Sequence, residues 1–452
     1  MKKKLFGTDG IRGKANQYPI SADMMLKVGQ AIGLYFREHV EHPRILIGKD
    51  TRVSGYMLEQ ALSAGICSMG VDTCMLGPLP TPGIAYLTRG LRASGGIVIS
   101  ASHNPYEDNG VKLFAADGFK LPDSAELELE RMVLEGVVSS ASRGRIGTTT
   151  RIDDALGQYA VFLKEQFPKH LSLEGVKLVL DCAHGAGYRV APKVFSELGA
   201  TVHVINASPN GTNINRGCGA LHPKQLATYV KQTGSDLGLA FDGDADRLVV
   251  VDDTGEVLDG DEILAICGTD AMSKGQLAGG TLVATVMSNM GLELCMQRQG
   301  GRVLRTAVGD RYVVEEMRRG GYTLGGEQSG HLIFLDSSTT GDGVLAALKL
   351  LQVASEQNKP LSMLKKCMER LPQVLQNIAV PHKVPIDEMP ELCKEIAAVE
   401  AKLGKSGRVL FRYSGTELKA RIMLEGEDLT QLQSMLDDLS ASAFQHITNY
   451  NA

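Results

Sequence analysis

Leu237-Gly238-Leu239-Ala240-Phe241 runs without a break into Asp242-Gly243-Asp244-Ala245-Asp246-Arg247. The first five residues are apolar and strand-sized, and a carboxylate-rich loop directly after such a strand belongs at the end of a sheet, where the backbone opens into a crevice. Upstream, Val176-Lys177-Leu178-Val179-Leu180 predicts another strand, Ala191–Leu198 a helix, and Thr201-Val202-His203-Val204 a further strand. Strand and helix alternate, the signature of βαβ units and a largely parallel sheet.

The alternation continues on both sides. Toward the N-terminus, Met24, Met25, Val28, Ile32, Tyr35 and Phe36 have helical spacing after Ser21. A strand at Ile45-Leu46-Ile47, a helix over Tyr56–Met69 and a strand near Val71–Leu76 follow. Pro82 opens the next helix, and Gly95-Gly96 precede a strand at Ile97-Val98-Ile99. Toward the C-terminus come a strand at Leu282–Val286, a helix at 291–298 and another around Tyr312–Arg318. Glu356–Pro360 is read as a surface turn. Beyond Leu371-Pro372 the order changes to strand (Ile378–Val380), long helix (Met389–Leu403), paired strands (Val409–Arg412, Ala420–Leu424) and a closing helix from Leu429. The expected fold is therefore three similar mixed or parallel α/β domains plus a smaller C-terminal α+β domain. The expected boundaries are 1–150, 151–260, 261–370 and 371–452.

A chain of 452 residues exceeds what one core can serve, since domains divide beyond roughly 250–300 residues. Lys and Arg total 47 against 52 Asp and Glu, so the net charge of −5 gives no general attraction to nucleic acid. Apolar stretches are strand-sized, and the start Met1-Lys2-Lys3-Lys4 leads into no apolar leader, so a cytoplasmic protein is expected, with no membrane partner. The eight cysteines are scattered without a C-x-x-C pair, which reads as free thiols.

Four segments can carry chemistry, and each follows a predicted strand. Ser100-Ala101-Ser102-His103-Asn104-Pro105, continuing to Asn109-Gly110-Val111-Lys112, fits either a polar turn with a capping serine or an exposed loop whose Ser102 hydroxyl can be phosphorylated, with His103 and Lys112 to move its proton or steady a phosphate. Asp242, Asp244 and Asp246 supply hard oxygen ligands suited to Mg²⁺. An EF-hand loop is excluded because its sixth position would be Arg247 and its twelfth Asp253. Arg247 offers a fork for phosphate oxygens. Gly325-Gly326-Glu327-Gln328-Ser329-Gly330-His331 fits either a sugar-binding loop or a plain hairpin turn. Arg412-Tyr413-Ser414-Gly415-Thr416-Glu417, with Arg421 on the next strand, makes an anion cradle that lacks the Walker pattern. His184-Gly185-Ala186-Gly187 imitates a dinucleotide fingerprint, but Val190 occupies the third glycine position, and His184 is read as a satisfied loop histidine.

Taken in order, these segments and the start Phe6-Gly7-Thr8-Asp9-Gly10-Ile11-Arg12-Gly13 resemble the α-D-phosphohexomutase family over essentially the whole chain. The resemblance implies four domains around a central cleft and a Ser102 that is phosphorylated at rest. Asp242, Asp244 and Asp246 would bind Mg²⁺ together with a phosphoserine oxygen, Arg12 and Arg247 would contact the phosphoserine, and Lys112 and His103 would assist proton transfer. Glu327 and Ser329 would hold sugar hydroxyls, and Arg412, Ser414, Gly415, Thr416 and Arg421 would bind the phosphate that is not reacting. The implied reaction converts glucosamine 6-phosphate to glucosamine 1-phosphate through a hexose 1,6-bisphosphate, with hinge closure of the last domain. Tyr413 and Leu418 stand where many relatives carry prolines.

A phosphomannomutase or phosphoglucomutase of the same family is the near alternative, differing only in the sugar loop. An aspartyl-phosphate phosphatase using Asp242-Gly243-Asp244 is a more remote one, as is a non-enzymatic sugar-phosphate or metal-binding protein. The expected partner is a small sugar phosphate, and a homodimer is compatible with all of these readings.

Overall fold

The computed structural model describes residues 4–7, 9–136, 144–414 and 418–450. Four sheets follow one another along the chain. The first contains β1 (Ile11–Lys14), β2 (Arg44–Lys49), β3 (Asp72–Pro78), β4 (Gly95–Ile99), β5 (Asp108–Ala115) and β6 (Thr149–Arg151), in the order β1-β5-β4-β2-β3-β6. The second contains β7 (Lys177–Asp181), β8 (Thr201–Ile205), β9 (Leu237–Phe241), β10 (Leu248–Val251) and β11 (Val257–Leu258), in the order β11-β10-β9-β7-β8. The third, β13-β12-β14-β15, uses β12 (Thr281–Thr285), β13 (Arg302–Thr306), β14 (Leu324–Gly326) and β15 (Leu332–Phe334).

One plan repeats through all three. A central strand (β2, β7, β12) is flanked by parallel neighbours, and one of these (β4, β9, β14) turns back through a loop into an antiparallel strand (β5, β10, β15). The three loops so formed are 100–107, 242–247 and 327–331, so the serine, acidic and Glu-Gln-Ser segments occupy equivalent places in three copies of one architecture. The fourth sheet, β16 (Gln373–Ala379), β17 (Arg408–Tyr413) and β18 (Lys419–Glu425), is antiparallel in the order β16-β18-β17 and packs against the helices Pro390–Leu403 and Leu429–Thr448. It is the smaller α+β domain that the sequence predicts, and its fourth loop also joins two antiparallel strands.

The structure extends or corrects the sequence reading at three points. β5, which the sequence reading does not assign, is a strand whose residues from Asn109 to Phe114 are all buried. Gly95 and Gly96 lie within β4 instead of preceding it, because a Cβ on Gly96 would sit 2.2 Å from Thr88 Oγ1 and one on Gly95 2.6 Å from the Phe36 ring. The helices Gly260–Ser273 and Gly343–Gln357 went unread. The second opens with Val344-Leu345-Ala346-Ala347-Leu348, all buried, and its polar residues begin only at Lys349, so its start shows no helical stripe. The first carried a legible signal, the Asp259/Glu262 capping box.

One apolar core runs from Leu46 in the first domain through Phe195 and Phe241 in the second to Leu348 and Met368 in the third, and the first domain has a second core, including Ile32, Ile47 and Ile99, on its other side. The C-terminal domain has a core of its own, including Leu392, Ile422, Leu436 and Ile447. Its polar ties to the third domain include Arg408 Nη2 donating to Ser288 O at 2.7 Å. All eight cysteines are free thiols, and no described helix is long and apolar enough to cross a membrane.

Candidate active site

The loops of the first two domains meet. Ser102 Oγ lies 2.7 Å from Asp242 Oδ2 and 3.3 Å from His103 Nδ1. Ser102 is not exposed as the sequence suggested: it is only 2% accessible, with its backbone in the left-handed region at φ 51°. Such a conformation costs about 1–2 kcal/mol in a non-glycine residue and needs support from its surroundings. Arg52 supplies it. Its fully buried guanidinium donates to Ser102 O and Asn104 O, both at 2.9 Å, to Asp108 O at 3.1 Å, to Pro105 O, and to Asp50 Oδ2 at 2.7 Å. Asn215 of the second domain adds a bond to Ser102 O at 2.9 Å. With its carbonyls drawn inward, the loop presents the serine hydroxyl outward. Gly243 lets the loops close up: a Cβ there would fall 2.5 Å from Ser102 O.

One ligand oxygen from each of Asp242, Asp244 and Asp246 can be chosen so that all lie within 4.8 Å of one another. Burial pushes the Asp242 carboxyl well up, and the charges of Asp246 and Asp244 push it further. Asp244 Oδ1 is buried with no hydrogen-bond partner among the described residues. Hard oxygens, mutual repulsion and an unpaired buried lone pair fit a divalent cation.

Lys112 on β5 reaches Asp244 Oδ2 at 3.0 Å, Asp9 Oδ2 at 3.3 Å and Asp246 Oδ2 at 3.5 Å. Burial opposes its charge, but Asp244, Asp9 and Asp246 outweigh that and hold its ammonium well above the ordinary lysine range. His103 goes the other way: burial, then Arg247 and Arg12, lower it to about 4, so it is neutral near pH 7. Arg12 is paired with Asp9, and Arg247 N–H donates to Asp242 Oδ1 at 3.2 Å.

The third loop is both a hairpin turn and a wall of the site. Glu327 Oε1 accepts Gly309 N–H at 3.1 Å, and Ser329 Oγ lies 3.4 Å from Glu327 Oε2. Ser102, His103, Asp246, Arg247, Glu327 and His331 are among the residues lining a cleft of about 830 Å³. Arg12 lines it too.

Several residues in or behind the cleft had no role in the sequence reading. His331 has Nδ1 3.6 Å from Asp246 Oδ1 and Nε2 3.4 Å from Asp310 Oδ2; burial opposes its charge, yet these carboxylates raise it to about 9. Lys120 bridges Asp9 and Asp310, both at 2.6 Å, and joins the first domain to the third. His331 stood at the end of the quoted glycine segment, and Asp50-Thr51-Arg52 directly follows β2, so position after a strand was the available signal. Asp310 and Lys120 gave none. His184 is a loop histidine as expected, its Nδ1 accepting Ser208 N–H at 3.2 Å.

The fourth loop stands apart. Arg412 and Arg421 face each other across β17 and β18, and Ser414 is buried, its carbonyl accepting from Lys383 Nζ at 2.5 Å. Gly415 and Thr416 lie outside the described residues. No described residue of β17 or β18 lines the cleft. The Tyr413 ring packs edge-on against Phe411, its phenol oxygen accepts Val384 N–H at 3.3 Å, and Leu418 is exposed.

Comparison with known proteins matches four domain models in order. Residues 3–137, 158–255 and 259–371 match phosphoglucomutase/phosphomannomutase alpha/beta/alpha domains I, II and III, and 375–442 match the C-terminal domain. Among curated relatives, the phosphoglucosamine mutase of Syntrophotalea carbinolica is 55% identical over 99% of this chain and 98% of its own. That of Citrifermentans bemidjiense is 57% identical over 98% of each. Among solved structures, a phosphoglucomutase/phosphomannomutase family protein from Burkholderia thailandensis superposes with a TM-score of 0.82 at 23% identity, covering 99% of this chain and 98% of that one. The N-acetylphosphoglucosamine mutase of Aspergillus fumigatus, in complex with GlcNAc-6P and magnesium, gives 0.68 at 17% identity, covering 99% and 96%. At these identities the two structures speak for the fold.

Proposed function

The chain belongs to the phosphoglucomutase/phosphomannomutase family, the α-D-phosphohexomutases, and from that membership we propose how its site works as a phosphoglucosamine mutase. It is an enzyme of the isomerase class that interconverts glucosamine 6-phosphate and glucosamine 1-phosphate. The observation that carries the mechanistic reading is the 2.7 Å approach of Ser102 Oγ to Asp242 across two domains.

In the proposed cycle phosphoserine 102 gives its phosphoryl group to the free hydroxyl of the sugar phosphate, and the P–Oγ bond breaks as the new P–O bond forms. The resulting 1,6-bisphosphate turns over, and its other phosphoryl group returns to Ser102. Neutral His103 is placed to exchange the proton of Ser102 Oγ, while charged Lys112 and Arg247 face the phosphoryl oxygens. Asp242, Asp244 and Asp246 would hold Mg²⁺, which when bound neutralises charge on those oxygens. Arg12 steadies the phosphoserine, and Glu327 and Ser329 receive the sugar. Arg412, Ser414, Gly415, Thr416 and Arg421 hold the distal phosphate once the C-terminal domain closes. Arg412 and Arg421 stand directly opposite each other on neighbouring strands, so two guanidiniums are side by side where one phosphate could meet both, which supports that assignment. The domain boundaries near 150, 260 and 370 are part of this reading, as are a cytoplasmic location and supply of amino-sugar precursors for the cell envelope.

Turnover of glucosamine 6-phosphate, compared with glucose and mannose 6-phosphates, tests the substrate, and dominant activity on mannose would overturn it. Intact-mass measurement followed by peptide mapping should find one phosphate, on Ser102. Label on Asp242 would instead support phosphatase chemistry, which the position of Asp242 as acceptor for Ser102 disfavours.

A further inference from the structure

We propose that Thr81 is a positioning residue of the metal site, its hydroxyl fixing the orientation in which the Asp244 carboxylate presents one oxygen to the cation. The inference rests on the reading of Asp242, Asp244 and Asp246 as a metal site.

Thr81 opens the helix Thr81–Gly90 between Pro80 and Pro82 and is 1% accessible. As the first residue of a helix, its N–H has no acceptor within the helix. That N–H reaches across to the second domain and donates to Asp244 O at 3.0 Å, while Thr81 Oγ1 donates to Asp244 Oδ2 at 2.6 Å. One residue thus holds both the backbone and the carboxylate of the middle acid. The two flanking prolines restrict the backbone, and branching at Cβ restricts χ1, so the hydroxyl has little freedom to point elsewhere.

Lys112 Nζ approaches the same oxygen, Asp244 Oδ2, at 3.0 Å. Oδ2 is therefore satisfied twice, while Oδ1 is buried and has no hydrogen-bond partner among the described residues. Rotating the carboxylate out of this orientation would break both contacts, whereas a half-turn merely exchanges two equivalent oxygens, so one oxygen stays engaged and the other stays open. The division of labour between the two oxygens is built into the protein, and an unpaired Oδ1 is the one left for a cation. Lys112 alone would not keep it so, because it is shared with Asp9 and Asp246. Partners of this kind typically change metal affinity 10–100-fold when removed.

The test uses the full chain, stripped of metal and titrated with Mn²⁺ while free ion is followed by electron paramagnetic resonance. Thr81→Val keeps the shape and loses the hydroxyl, and it should weaken Mn²⁺ binding about tenfold or more. Thr81→Ser restores a donor and should bind within about threefold of the parent. Thr81→Ala serves as a second hydroxyl-free variant should Val disturb packing, and the same loss is expected. Parent-like Mn²⁺ affinity in a folded Val or Ala variant overturns the inference, as does a Ser variant as weak as Val. A parent protein that binds no Mn²⁺, or binds it equally well after Asp242→Asn, instead overturns the metal reading beneath it.

Discussion

Three of the four functional loops sit on domains joined by one shared core, and the fourth sits on a domain that takes no part in it. The serine, acidic and Glu-Gln-Ser loops are the same hairpin position in three repeats, and they are fastened to one another as well as to their own sheets. Asn215 holds Ser102 O, Leu248 N–H donates to Gly330 O at 2.9 Å, and Tyr159 Oη donates to Asp342 Oδ2 at 2.8 Å. Among the described residues, none of the strands that carry the Arg412/Arg421 loop lines the cleft. A fused block suits phosphoryl transfer, where the serine, the carboxylates and the receiving hydroxyl must be aligned to fractions of an ångström. A separately folded clamp suits a bisphosphate that must release, turn and be gripped by its other end.

The contrast is sharpest where chemistry is removed from the fused block. Ser102→Ala takes away the atom that carries the phosphoryl group, and turnover should fall by a factor of about 1,000 or more with the protein still folded. A coupled assay and an intact mass lacking the added phosphate check this. Residual turnover above a tenth of the parent's would break the assignment of that block as the chemical half.

The separateness of the last core can be broken by a cavity. Leu436→Ala, in the helix Leu429–Thr448, should cost about 2–5 kcal/mol, and the loss should fall on the C-terminal domain alone. Calorimetry should show a low-temperature transition moving down while the main one stays in place. One cooperative transition shifting as a whole would mean the two cores unfold together.

On the seam within the fused block, Asp342 gives a pH signature. Burial pushes its carboxyl from an ordinary 3.8 to about 6, against hydrogen bonds from Leu345 N–H and Tyr159. The folded state thus holds this proton more tightly than the unfolded chain. The stabilisation is full below the unfolded pKa and is lost as pH climbs through about 6, a difference of about 3 kcal/mol for a shift of this size. Asp342→Asn keeps a neutral side chain at every pH. Its stability relative to the parent, from urea unfolding, should be smallest near pH 4 and rise to a plateau near pH 7; a flat difference would show that the seam carries no titrating group.

Much of this division was legible in the residues. Alternating apolar runs marked the three α/β repeats, and the change of order after Pro372 marked the last domain. The acidic loop was readable because three carboxylates after an apolar strand repel one another, and a cation is the economical way to relieve that. Burial hid other parts. Ser102 reads as an exposed turn because Ser-His-Asn-Pro is turn-like, whereas Arg52, some fifty residues earlier, draws the loop inside. Asp310 and Lys120 belong to the site only through contact between the first and third domains, which no local pattern reports. Gly343–Gln357 escaped for another reason, since its first six residues are apolar and buried together and show no period.

The smallest effect is expected in the clamp, and it separates the two halves most cleanly. Arg412 and Arg421 are directly opposed in register, and burial together with Arg421 lowers the Arg412 pKa. Like charges across a strand pair destabilise the free domain, so Arg412→Gln should leave thermal stability unchanged or slightly raised. Losing one charged contact to phosphate should raise KM about tenfold, about 1.4 kcal/mol, with kcat falling less, because the lost contact is made before and during transfer alike. High salt should weaken the parent more than the variant. Equal loss in kcat and kcat/KM would instead put Arg412 in contact with the transferring group, and the clamp would then belong to the chemical block.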